Sequence, residues 1–159
     1  MQVIGFNLTK ILAERFPDFK SGPINTNIEF TNVEEDKVSL IKDSEVVKIN
    51  FKYSVIYSEQ KEQKKQDKKK ADKAGSDKEE SKRAEVSFEG NVLLTLSKDE
   101  LKNIQKEWKK KQIPSGVQFP LYNLILKKCS IRAAQLEDEL NIPPHLPIPQ
   151  LRRQQPPQQ

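Results

Sequence analysis

The chain has 159 residues, of which only 35% are hydrophobic and 32% are charged, with a net charge of +5. That length suits one domain, and the composition is too polar for all of it to form a core. No apolar run approaches the roughly 20 residues that cross a bilayer, and the N-terminus has no signal-peptide core. One cysteine, Cys129, excludes an internal disulfide, and a lone His145 argues against a structural zinc site. The expectation is a soluble, cytoplasmic protein without membrane insertion.

Four stretches alternate with period two, the pattern of half-buried strands. The first, Val3–Leu12, places Ile4, Phe6 and Leu8 on one face. The second, Ile24–Phe30, sets Ile24, Thr26, Ile28 and Phe30 against Asn25, Asn27 and Glu29. The third, Val47–Tyr57, carries Val47, Ile49, Phe51, Tyr53, Val55 and Tyr57 on one side. The fourth, Val86–Leu96, is alike, except that Gly90 sits on its apolar side and signals a bulge or a close approach. One apolar face per strand is the mark of an antiparallel sheet packed on one side.

Between the third and fourth strands, Ser58 to Glu85 holds 10 basic and 8 acidic residues and three alanines as its only hydrophobic residues. Interleaved charge without aromatics reads as a disordered insertion in a hairpin. It contributes +2 of the net +5, so the net charge by itself is a weak argument for nucleic acid.

Two helices follow. Lys98–Lys111 opens with Ser97 as N-cap and Glu100 at capping-box spacing, and its stripe is Leu101, Ile104 and Trp108. Six lysines against three acids make it cationic. Ile113–Phe119 reads as a loop, with Pro120 opening a long helix over Leu121–Leu140. Tyr122, Leu126, Cys129, Ala133, Leu136 and Leu140 form its stripe, with Leu121, Leu124, Ile125 and Ile131 beside it. Apolar cover wider than one sheet requires predicts an oligomer interface at Leu121, Leu124, Ile125 and Ile131, in a dimer or tetramer. The end, Asn141–Leu151, alternates prolines with Ile142, Leu146, Ile148 and Leu151 and reads as an extended strip on which His145 is exposed; Arg152–Gln159 reads as a disordered tail.

No catalytic constellation emerges. The five glycines are isolated, so there is no phosphate loop, and Cys129 on an apolar helix reads as a small buried hydrophobe. The expectation is a binding protein, not an enzyme, with no cofactor and no metal. An alternative is a nucleic-acid- or ribosome-associated protein using the lysines of 61–82 and 98–111, although no aromatic row for base stacking accompanies them.

The arrangement is α+β: a four-stranded antiparallel sheet, a shorter helix and a long C-terminal helix. Its order resembles the SecB-like protein-export chaperone family. The resemblance lies in the opening strand Val3–Arg15, the last strand segment Phe88–Leu94, the helix entry Phe119-Pro120-Leu121-Tyr122, and the proline/leucine segment Leu146–Leu151. It spans most of residues 1–151 as a single domain, with the charged insertion as an addition. The resemblance implies a holdase, an ATP-independent chaperone or adaptor for protein transport that binds unfolded or preprotein polypeptides in hydrophobic grooves beside the sheet. It also implies assembly as a dimer of dimers. Carried onto this chain, the groove residues are Tyr53, Tyr57, Trp108, Phe119, Tyr122 and Leu124. Bacterial SecB proteins dock the SecA motor with an acidic surface, whereas this chain has a pI of about 9.2.

Overall fold

The structure is a computed structural model describing residues 1–36, 45–59, 82–147 and 149. Most of the charged insertion (60–81), Ile148, Leu151 and the tail lie outside the described residues. The elements are β1 (Gln2–Arg15), β2 (Ile24–Asp36), β3 (Glu45–Ser58), β4 (Lys82–Leu96), α1 (Lys98–Trp108) and α2 (Ser115–Glu139). Among the described residues the fold is α+β, with one four-stranded antiparallel sheet in the order β1-β4-β3-β2 and two helices.

The alternation in β3 and β4 becomes the core directly. Val47, Ile49, Phe51, Tyr53, Val55 and Tyr57 stand opposite Leu94, Val92, Gly90, Phe88, Val86 and Ala84. Every side chain in that ladder is buried. Opposed residues of an antiparallel pair share a face, so two strands with the same period generate a continuous apolar surface.

The edge strands are less regular. β1 changes register between Val3 and Gly5 and again between Leu8 and Lys10. Those bulges reverse the parity of the strand, so Val3, Phe6, Leu8, Ile11 and Ala13, not Ile4, stand beside the core residues of β4. Gly90 faces the second bulge. A Cβ on it would lie 2.3 Å from the Asn7 carbonyl oxygen, so only glycine fits the approach. β2 carries a bulge at Thr31, between Phe30 and Asn32.

The Ser97–Glu100 capping box closes the start of α1. The Ser97 amide donates to Glu100 Oε2 at 2.9 Å, and that donation holds the Glu100 carboxyl below its usual range. α1 buries Leu101 and Ile104, and Gln105 donates to Glu35 at the end of β2.

α2 differs from the sequence reading in start and in phase. It begins at Ser115, six residues before Leu121, so Pro120 lies inside the helix. The Pro114 carbonyl accepts from Val117 and Gln118 and provides the start that was expected of Pro120. Its buried ridge is Val117, Leu121, Ile125, Cys129, Ala133 and Glu137, an i, i+4 row, while Leu126 faces outward. Both helices end in the same way. Lys111 (φ 60°) and Asn141 (φ 51°) take the left-handed position, and the next amides return to Glu107 and Glu137 in Schellman caps.

Candidate cleft between the edge strand β2 and the helical connection

β2 is an edge strand, hydrogen-bonded on one side to β3 and on the other to no described strand. Its outer backbone groups therefore face a gap, and the far wall of that gap is the connection between α1 and α2. The result is a cleft of about 880 Å³ whose apolar lining is Ile28, Phe30, Ile113, Pro114 and Tyr122. One side of the cleft is β2, whose outer edge pairs with no described strand, and the other is the helical connection.

Two aromatic contacts shape it. The Phe30 ring stacks on Tyr122 with centroids 5.2 Å apart and an interplanar angle of 19°. Gln118 donates to the Tyr122 hydroxyl at 3.0 Å and fixes the ring from the same helix. At the rim, the left-handed backbone at Lys111 brings its ammonium to 5.1 Å from the centroid of Trp108. Glu29, Asn103, Glu107, Lys111 and Gln112 are among the polar residues that make up the rest of the lining, so the apolar residues form a patch in a cleft that carries charge of both signs.

The six residues expected to form a groove divide. Tyr122 is in the cleft and Trp108 stands under Lys111 at its rim. Phe119 is 65% exposed, and Leu124 is half-buried against the core. Tyr53 and Tyr57 are fully buried inside the chain and do not reach the cleft. Ile28 and Phe30 belong to it instead. Their alternation marked them as sheet residues, but nothing in a single strand's pattern says that it lies at an edge.

The four helix residues expected to meet a partner also divide. Leu121 and Ile125 are fully buried in this chain's own core, because the packed ridge of α2 runs through them. Ile131 is 63% exposed on the outer side, with Leu126 also outward-facing.

His145 is corrected from exposed to buried: its side chain retains 3% of its exposure and sits 2.7 Å from Glu137. Cys129 is fully buried, and burial pushes its thiol up to about 11, which leaves it protonated and unreactive at neutral pH. Among the described residues, no cluster of His, Cys, Asp or Glu is placed to hold a metal ion, and no helix is long and apolar enough to cross a membrane.

The chain is similar in structure to a SecB-like chaperone of Mycobacterium tuberculosis, solved in complex with a ChAD peptide from an antitoxin. The identity is 17% and the TM-score 0.44, over 97% of this chain and 92% of that one. No protein-family model and no curated protein matches the chain.

Proposed function

We propose that this protein is an ATP-independent polypeptide-binding chaperone or adaptor that holds extended, apolar segments of non-native chains in the β2 cleft. The observation that carries this reading is the pairing of an open strand edge with the stacked Phe30–Tyr122 surface in a single cleft. An extended client adds to the edge through main-chain hydrogen bonds, which do not depend on its sequence. Its alternate side chains drop onto Ile28, Phe30, Ile113 and Tyr122, where burial rewards any apolar group. Neither contact requires nucleotide or a catalytic residue. The exposed Ile131 and Leu126 on α2 and the apolar side chains left uncovered on β1, Val3, Leu8 and Ile11, are the surfaces assigned to self-assembly.

The test is suppression of aggregation of a denatured model protein, without nucleotide, by the wild type and by Phe30→Asp. The wild type keeps the client soluble near stoichiometric ratios and Phe30→Asp loses most of that effect while retaining its fold by circular dichroism. Equal protection by both proteins, or none by either, contradicts the assignment. Steep loss of client binding between low and moderate salt, with undiminished binding to single-stranded nucleic acid at low salt, favours the lysine-based reading instead.

A further inference from the structure

The chain makes one peptide-like contact with itself. After Asn141 the chain turns back over β3, and residues 142–147 form no helix or strand. Ile142 is buried, and three core side chains take the inward-facing polar groups of the segment. The Tyr57 hydroxyl donates to the Pro143 carbonyl at 2.6 Å. Glu137 Oε2 accepts the His145 amide at 3.1 Å, and Glu137 Oε1 lies 2.7 Å from His145 Nδ1. The Tyr53 hydroxyl lies 3.0 Å from His145 Nε2 and 3.1 Å from Ser130 Oγ.

Tyr53, Tyr57 and Glu137 have no exposed surface. A carboxylate so placed on the core-facing ridge of a helix is costly unless its oxygens are bonded, and here both are bonded to one residue of the returning segment. The backbone of that segment is recognised by side chains rather than by a strand. This is the manner in which aromatic surfaces bind proline-rich chains: the segment is stiff before it docks, and its free carbonyls meet tyrosine hydroxyls.

We propose that Tyr53, Tyr57 and Glu137 form a second binding site, separate from the β2 cleft, for an extended proline-containing peptide of the pattern apolar–Pro–Pro–His. In the free chain it is closed in cis by Ile142–His145. The ligand class is set by three features: a carbonyl presented by the first proline, an imidazole two residues later, and the amide of that same histidine. Release of the strap opens the site to a matching segment in trans.

The experiment uses the full chain and a fluorescently labelled synthetic peptide with the sequence of residues 140–147. Its binding is measured by anisotropy to the wild type, His145→Ala, Ile142→Ala and Phe30→Asp. His145→Ala removes the imidazole contact of the strap without altering Tyr53, Tyr57 or Glu137, and it takes up the peptide at least roughly tenfold more tightly than the wild type, the change expected when a buried side-chain hydrogen bond is lost in cis and regained in trans. A peptide with alanine in place of its histidine loses that gain. If His145→Ala does not fold, Ile142→Ala decides: it removes the buried apolar anchor of the strap and leaves Tyr53, Tyr57 and Glu137 intact, so it admits the peptide more readily than the wild type and exchanges faster in amide hydrogen exchange over 142–147. Uptake by neither folded variant overturns the proposal. Uptake that is equal in the wild type and the strap variants and lost in Phe30→Asp also overturns it, since the peptide then occupies the β2 cleft.

Discussion

Two aromatic surfaces flank α2, and they differ in what covers them. At the β2 edge, Phe30 and Tyr122 stack in a cleft of about 880 Å³ open to another chain. On β3, Tyr53 and Tyr57 are just as aromatic and wholly covered: Phe88 and Phe19 pack on their rings, Ser130 of α2 meets the Tyr53 hydroxyl, and the segment after α2 folds back onto both hydroxyls. Aromatic content alone thus does not mark a binding surface. What decides is whether the chain supplies its own occupant.

The largest effect falls on the covered side. Glu137→Ala leaves the His145 donors buried without their acceptor and lowers stability by about 3 kcal/mol, read from urea unfolding, with client capture in the β2 cleft retained at temperatures where the variant is folded. Loss of both properties together would mean that the two surfaces are coupled.

The open side gives the reverse pattern. Phe30→Asp reduces client affinity by at least about tenfold, since a charge replaces an aromatic face in an apolar floor, while the unfolding midpoint moves little. A large fall in stability with unchanged affinity would make Phe30 a core residue only.

Smaller changes sharpen the contrast. Tyr57→Phe removes the hydroxyl that binds Pro143 and costs about 1 kcal/mol, again with client capture intact. Lys111→Gly relieves a left-handed backbone at the rim of the cleft and stabilises the protein by about 0.5–1 kcal/mol. The same change removes the cation over Trp108, so altered client preference accompanies the gain in stability. Calorimetry together with client titration reads both.

The sheet was legible wherever residues obey a strict local period. β3 and β4 alternate cleanly, and Gly90 on the apolar side foretold the close approach of the Asn7 carbonyl. β1 was misread in part, because two bulges shift its parity; Gly5 stands at the first and Gly90 faces the second, but neither glycine says which residue of β1 is the extra one. The phase of α2 was missed for a different reason. Its packed ridge ends in a charged residue, Glu137, whereas apolar Leu126 and Ile131 lie outside, so hydropathy pointed to the wrong face. The candidate cleft needed two facts that alternation does not contain: β2 lies at the edge, and Pro114, not Pro120, opens the helix. His145 was hidden by its neighbours, since a histidine among prolines gives no sign of the buried carboxylate eight residues before it.

The most direct measurement is amide hydrogen exchange of the full chain with and without a saturating unfolded model polypeptide. The expected footprint is slowed exchange on the outer edge of β2 around Ile28–Thr31 and on residues 109–118, with 142–147 unchanged. Protection confined to other surfaces, or none at saturation, contradicts the β2 cleft as the client site.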